Sequence, residues 1–278
     1  MNLSMKNFMI FRNLVYDRCG INFESKKIYF VKKRLASRME ILGIRIVEDY
    51  FRYLKFRDPK GTEFQELLNL LTTNETYMFR EFEQLAVFAE NCLEEVCKRK
   101  KNKGNNQIRV WCAGCSTGEE AYTLAIILLE MLEPLSDWNI KLIATDIDTK
   151  VLSIAGKGEY SSRSVKDVPD EYLEKYLRIG NSGYTVKSIV KKLITFKHLN
   201  LMDTKQIKSV GQFDFIFCRN VLIYFDEDSR KEVVSQFYEH LDPGGFVFLG
   251  HSESIGRIST SFTLRKMGGM IMYQKRLT

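Results

Sequence analysis

Two adjacent carboxylates, Glu119 and Glu120, stand directly after the run Cys112-Ala113-Gly114-Cys115-Ser116-Thr117-Gly118. Two glycines in so short a stretch of small residues make a tight turn, and the apolar run from Ala121 to Leu132 reads as a helix. Ahead of the turn, Ile108–Cys112 reads as a strand. Strand, glycine turn and helix N-terminus in that order aim backbone N–H groups and the positive end of a helix dipole at a ligand above a sheet. The two glutamates narrow the ligand. They repel a phosphate and favour ribose hydroxyls or a cationic group.

The elements around this turn alternate strand and helix. Strands are expected at Ile108–Cys112, Ile140–Thr145, Leu193–Leu199, Phe213–Cys218 and Gly245–Leu249, with helices at Glu120–Leu132, Lys150–Ala155 and Asp228–Leu241. Uninterrupted apolar strands imply burial on both faces, hence a largely parallel sheet covered by helices. In such a sheet ligands collect at the carboxyl ends of the strands. Those ends carry Gly114 and Glu120, then Asp146, then Asn200-Leu201, then Arg219-Asn220-Val221-Leu222-Ile223-Tyr224. Singly, a glycine after a strand is often only a turn, and an aspartate there only a helix cap. Together and in order they describe a nucleoside site, with Asp146 accepting from ribose hydroxyls and Asn200-Leu201 set against an adenine. The chain has neither G-x-G-x-x-G nor G-x-x-x-x-G-K-[ST], so a pyrophosphate or triphosphate ligand is not supported. A nucleoside bearing a cationic sulfonium, S-adenosylmethionine, fits the acidic residues better.

Other chemistry is weaker. Cys112-x-x-Cys115 is a lone pair inside the turn, read as small residues filling it rather than as a zinc or redox site. His198, His240 and His251 fall on different elements and argue against a metal site. Gly250-His251-Ser252-Glu253-Ser254 lacks the second glycine of a hydrolase elbow and reads as a loop after the fifth strand.

The first 73 residues read as helical throughout. A helix is expected over Ser25–Met39, with Ser25 as N-cap and Ile28, Val31, Leu35 and Met39 on one stripe. Lys26, Lys33 and Arg34 occupy the opposite face, with Lys27, Lys32 and Arg38 on its flanks. Helices over Ile46–Phe56 and Thr62–Leu71 follow, joined by Asp58-Pro59-Lys60-Gly61. The net charge of +7 is unevenly divided: residues 1–73 hold 14 Lys+Arg against 8 Asp+Glu, and the remainder is nearly balanced. That asymmetry points to an acidic macromolecular partner on the N-terminal part, with Lys26, Lys33, Arg34 and Arg38 as its candidate contacts.

Thr72-Thr73-Asn74-Glu75-Thr76 reads as a linker, followed by a helix over Glu81–Lys98 and a surface loop over Lys98–Asn106. Between Asp148 and Leu193 the connection is too long for one crossover. A helix over Asp170–Leu177 and β character over Tyr184–Val190, after Gly180-Asn181-Ser182-Gly183, suggest a small antiparallel insert of two or three strands. Phe262–Lys275 reads as a hairpin turning at Gly268-Gly269. No apolar run approaches the ~20 residues of a membrane span, and the N-terminus has no signal-peptide pattern. Six cysteines without framework spacing fit a reduced protein, and the cytoplasm is the expected compartment.

Five segments, NETYMFRE (74–81), VWCAGCSTGEEAYTLAI (110–126), ATDID (144–148), FDFIFCRNVLIYFD (213–226) and LDPGGFVFLGHSES (241–254), closely resemble the chemotaxis receptor methyltransferases, the CheR family. The resemblance runs from about Asn74 to the C-terminus and covers the helical region more loosely. It implies an α/β fold: a Rossmann-like S-adenosylmethionine methyltransferase sheet over residues 74–278, with a small β insert at about 178–192, preceded by an all-α domain over 1–73. It implies methyl-ester formation on glutamates of chemoreceptor cytoplasmic helices, with S-adenosylhomocysteine as product. Carried over residue by residue, the cofactor positions are Asn74, Thr76, Arg80, Glu120, Asp146, Asn200, Leu201, Asn220 and Val221, to which the reading of the glycine turn adds Gly114. Arg80 and Tyr224 are expected nearest the transferred methyl. The linker at 72–76 becomes a lid, and the β insert a candidate seat for a receptor C-terminal peptide. The protein is read as a monomer that neither inserts into membranes nor binds nucleic acid. A nucleic-acid methyltransferase is the main rival, because the isoelectric point lies near 9.0. Its usual N-P-P-Y signature is replaced here by Asn220-Val221-Leu222-Ile223.

Overall fold

Helix-forming runs with one apolar stripe build the first part of the computed structural model, which describes residues 3–180, 183–256 and 258–277. Helices α1 (Met5–Cys19), α2 (Ile28–Ile41), α3 (Val47–Phe56) and α4 (Thr62–Leu71) pack around their own core of Phe8, Phe11, Val31, Leu35, Tyr50 and Leu67. Burying each large side chain there stabilises this small bundle by about 1.5–3 kcal/mol. An irregular strap, residues 72–81, then leads into α5 (Phe82–Val87), a π-helical segment (Phe88–Leu93) and α6 (Glu94–Lys101).

The remaining elements are β1 (Gln107–Ala113), α7 (Glu119–Met131), β2 (Asn139–Asp146), α8 (Thr149–Lys157), β3 (Glu159–Tyr160), α9 (Asp170–Tyr176), β4 (Leu177–Gly180), β5 (Gly183–Val186) and α10 (Ser188–Lys191). They continue with β6 (Ile194–His198), α11 (Thr204–Lys208), β7 (Phe213–Cys218), α12 (Glu227–His240), β8 (Leu241–Leu249), β9 (Phe262–Met267) and β10 (Met270–Lys275). The main sheet runs β6-β2-β1-β7-β8-β10-β9. Its first five strands are parallel and the β9–β10 hairpin adds the antiparallel edge. Strand β7 is buried at every position, as its unbroken apolar pattern requires. Phe88, at the start of the π-helical segment, sets its ring edge-on to Phe215, Phe217 and Phe248 at 5.0–5.6 Å, locking that helix to one face of the sheet. Among the described residues no helix is long and apolar enough to cross a membrane.

Several local expectations are corrected. Ser25 is not an N-cap: it opens a short 3₁₀ turn capped at Glu24, and α2 begins only at Ile28. The helix expected over Glu81–Lys98 is three segments, and it runs on to Lys101, so the loop is shorter than 98–106. Lys100 is the reason. Its ammonium reaches under the sheet to Asp214 at 2.6 Å and to the Gln107 carbonyl at 2.7 Å, drawing the helix end inward. The small sheet has order β3-β5-β4 and recruits Glu159–Tyr160, well before the expected insert. The β character expected over Tyr184–Val190 stops at Val186, where Ser188–Lys191 turns into a helix that buries Val190. Of the turn expected at Gly180–Gly183, Asn181 and Ser182 lie outside the described residues.

The helical bundle is seated on the carboxyl ends of the parallel strands by backbone bonds. The Asn22 N–H donates to the Tyr224 carbonyl at 2.9 Å, beside a bridge between Ile21 and Phe225, and the Asn200 side chain donates to the Arg18 carbonyl at 2.7 Å.

Candidate functional site

Between the bundle, the strap and the strand ends lies a cavity of about 490 Å³. It is lined by Asn74, Thr76 and Arg80 from the strap, Gly114 and Glu120 from the β1–α7 turn, Asp146 from β2, Asn200 and Leu201 after β6, and Asn220, Val221 and Tyr224 after β7. All the residues expected from the sequence to hold a cofactor or act on it therefore meet in one space. Lys26, Lys33, Arg34 and Arg38 do not line it; from that part of the chain Asn22, Lys27 and Phe30 do.

The glycine turn works differently from the expectation. Four of its N–H groups are already engaged: Gly114 and Cys115 both donate to the Thr145 carbonyl at 2.8 and 2.9 Å, Gly118 to the Cys115 carbonyl, and Ser116 to Asp146 Oδ2 at 2.8 Å. Four N–H groups of the turn are thus turned inward to the protein, and Glu120 beside them disfavours a phosphate by charge. Gly114, at φ 81°, is required for closeness: a Cβ there would stand 2.4 Å from Val221 Cγ2. Glu119 is 3% exposed, accepts from the Thr117 hydroxyl at 2.6 Å and does not line the cavity. Only Glu120 of the pair faces the ligand space.

Asp146 is held by two backbone donors, Ser116 N–H on Oδ2 and Asp148 N–H on Oδ1 at 2.9 Å. Burial nevertheless pushes its carboxyl up to about 6. Burial also raises the Cys112, Cys115 and Cys218 thiols far above their ordinary range, and Cys112 Sγ lies 3.1 Å from Glu120 Oε1. Such thiols are inert packing groups rather than nucleophiles.

Three groups near the cavity were given no cofactor or catalytic role from sequence. Glu253, from the loop read as merely following β8, accepts from the N–H groups of Asn220 at 2.7 Å, Gly250 at 2.8 Å and Ile223 at 3.3 Å, fixing the loop after β7. Arg219 binds Glu120 Oε2 at 3.0 Å. Asp148 holds the strap through Thr72 and Asn74. Only Arg219 carried a sequence signal, its place at the carboxyl end of the fourth parallel strand. Among the described residues four non-glycine residues have left-handed backbones, Phe79, Glu81, Ser116 and Asn220; three line the cavity, and Glu81 follows the lining residue Arg80.

Two expectations shift. The Tyr224 hydroxyl is not free: it donates to the Thr73 carbonyl at 3.3 Å and so fastens the strap. Asn200 spends its amide on the bundle and its oxygen on the Met202 N–H at 3.0 Å, leaving its backbone and Leu201 to face a base. On the second face of α2, Arg38 is turned inward to Glu63, with Nη2–Oε2 at 2.5 Å and the guanidinium 11% exposed, because Tyr50 and Glu63 form a polar pocket beneath it. Arg34 lies over the Phe30 ring at 3.9 Å and donates to the Leu70 carbonyl. Lys26 and Lys33 remain exposed.

The donor set fits S-adenosylmethionine: a buried aspartate for ribose hydroxyls, a glutamate for a cationic amino-acid tail, and apolar Leu201 and Val221 walls. Residues 74–270 match the family model described as "CheR methyltransferase, SAM binding domain", and residues 6–72 match "CheR methyltransferase, all-alpha domain". Chemotaxis protein methyltransferase 2 of Vibrio cholerae is 41% identical over 97% of this chain and 92% of its own length. The chemotaxis protein methyltransferase of Borreliella burgdorferi is 37% identical over 87% of this chain and 86% of its own, and that of Escherichia coli 35% over 95% and 89%. An acidic nucleoside cavity under a helical bundle, matched along nearly its whole length, places this chain in the CheR family of S-adenosylmethionine-dependent methyltransferases.

Proposed function

We propose that the protein methylates glutamate side chains on the cytoplasmic helices of chemoreceptors, forming glutamyl methyl esters. The observation that carries this reading is the polarity of the cavity. Glu120 and Asp146 line it with carboxylates suited to the cofactor, while Arg80, half-buried at the strap, adds a cation suited to an incoming carboxylate.

Bound S-adenosylmethionine supplies a methyl group made electrophilic by the adjacent sulfonium. A glutamate carboxylate is ionised at neutral pH, so no general base is required of the protein. One carboxylate oxygen forms the new bond to the methyl carbon while the carbon–sulfur bond breaks toward sulfur, and no proton moves. What this chain must do is align and dry the reacting groups. Arg80 lies with Nη1 on the Glu75 carbonyl at 3.2 Å, an exposed and exchangeable partner, so its guanidinium can turn to hold a carboxylate. Val221, Phe225 and Leu201 supply apolar walls that exclude water. Tyr224 keeps the strap closed over the space through Thr73. The exposed cations Lys26 and Lys33 lie near the cavity mouth in sequence and suit an acidic helix surface.

The test is labelled S-adenosylmethionine incubated with chemoreceptor membranes and, separately, with nucleic acid. Base-labile label in receptor protein is the expected result. Base-stable label in nucleic acid, with none in receptor, overturns the reading.

A further inference from the structure

Arg219 directly follows β7 with a side chain 3% exposed, yet it reaches three groups on two other parts of the chain. Its Nη1 donates to Glu120 Oε2 at 3.0 Å. Its Nη2 donates to the main-chain carbonyl of Arg80 at 2.5 Å and lies 3.1 Å from Glu81 Oε2. Glu120 belongs to the cofactor side of the cavity. Arg80 and Glu81 belong to the strap. One buried guanidinium thus spans the seam between the two halves of the site.

The strap needs such a hold. Phe79 and Glu81, on either side of Arg80, have φ of 58° and 57°, a conformation that residues with a side chain rarely adopt unassisted. Two bonds keep it in place: the Phe79 N–H donates to Thr123 Oγ1 of α7 at 3.0 Å, and the Arg80 carbonyl accepts from Arg219. With both flanks pinned, the Arg80 side chain leaves the main chain at a fixed point and in a fixed direction. A lysine at 219 could not reproduce this, because one nitrogen cannot serve Glu120 and Arg80 in the two directions that a planar fork serves at once.

The charges point the same way. Arg219 sets one positive charge between two carboxylates, Glu81 and Glu120. Without Arg219, Glu120 would be released from its place and the two carboxylates would lose their shared cation.

We infer that Arg219 is a positioning residue, which sets the Glu120 carboxylate for the cofactor and the Arg80 guanidinium for the methyl acceptor through the same side chain. The inference rests on the proposed role of Arg80. It assigns no contact between Arg219 and either substrate; the residue acts through Glu120 and the strap.

The full-length protein is assayed as wild type, Arg219→Lys, Arg80→Ala and the double variant. Turnover on receptor membranes, S-adenosylmethionine affinity by calorimetry and thermal unfolding are measured for each. Arg219→Lys is expected to lower kcat about 10²-fold, the scale of a small misplacement of a reacting group. It should also weaken cofactor binding, and it should cost no further turnover once Arg80 is alanine, because its effect on transfer passes through that residue. A folded Arg219→Lys protein with wild-type kcat, or a full loss added on top of Arg80→Ala, overturns the inference. Where Arg219→Lys does not fold, Glu81→Gln loosens only the strap arm: kcat should fall with cofactor affinity retained, and wild-type kcat would overturn it. Wild-type turnover by Arg80→Ala is a separate result, which removes the reading beneath the inference.

Discussion

The Thr72 hydroxyl donates to Asp148 Oδ2 at 2.6 Å, tying the first residue of the strap to the turn after β2. Asn74 reaches the same oxygen at 3.0 Å, while Asp148 Oδ1 caps α8 by accepting from the Lys150 and Val151 N–H groups. One carboxylate therefore starts a helix and anchors the strap.

Asp148→Ala should separate those roles. Loss of the cap costs about 1 kcal/mol of stability. Release of the strap should weaken S-adenosylmethionine binding about tenfold, equivalent to 1.4 kcal/mol. Calorimetric titration beside thermal unfolding checks both, and unchanged affinity would show that the strap is held without Asp148.

Cofactor binding should depend on pH through Asp146. Its carboxyl is pushed up to about 6 by burial, so the free protein carries it protonated below that value and ionised above. Ribose hydroxyls donate to the ionised form. Affinity should thus be full above pH 6 and decline by up to about tenfold per pH unit below it, with proton release on binding near pH 6. Stability of the cofactor-free fold runs the opposite way. A folded-state value raised above the unfolded one contributes stability at low pH that is lost as pH rises through about 6. Calorimetry in buffers of different ionisation enthalpy reads the proton count; affinity flat across this range would remove Asp146 from the cofactor site.

The basic helix should divide into two classes of residue. Lys33→Glu, on an exposed position, is expected to raise the KM for receptor more than it lowers kcat, and the defect should track ionic strength. Arg38→Ala should act on folding instead. It strands Glu63, 6% exposed, without its cation, at a cost of about 3 kcal/mol or more. Denaturant unfolding and steady-state kinetics of the two variants decide between these outcomes.

Beneath the sheet, Lys100→Met should destabilise by about 3–5 kcal/mol, since Asp214 is wholly buried and Lys100 is its cation at 2.6 Å. Burial already raises the Asp214 carboxyl, and loss of the ammonium should raise it further, so the variant should recover part of its stability at low pH. A denaturant midpoint equal to wild type would mean that the pair contributes nothing.

The parallel strands were readable because their apolar runs are unbroken, and the cofactor cavity because its residues fall at successive strand ends in chain order. Position along the chain was enough to bring Asp146 and Asn220 to one cavity. It was not enough to say what their neighbours do. Arg38 and Lys33 look alike in sequence, and only the packing of Glu63 and Tyr50 turns one inward. The glycine turn advertises free N–H groups, but Thr145 and Asp146 engage three of them from an adjacent strand. Glu253 lies over thirty residues beyond the loop that it braces. Lys100 reads as part of a solvated charge run until the buried carboxylate of Asp214 is placed beside it. Each of these depends on pairings between distant segments, which local periodicity does not encode.

The bundle meets the sheet at residues 18–22 largely through main-chain atoms: the Arg18 carbonyl, the Asn22 N–H and the Ile21–Phe225 bridge. Those bonds are indifferent to most side-chain changes in the bundle, whereas the exposed cations at 26 and 33 take no part in them. The surface proposed to meet the methyl acceptor can therefore drift in sequence, and adapt to different acceptors, while the attachment that shapes the cofactor cavity stays as it is. If those cations meet the acceptor as proposed, changes at 26 and 33 leave the peptide groups at 18–22 that seat the bundle untouched.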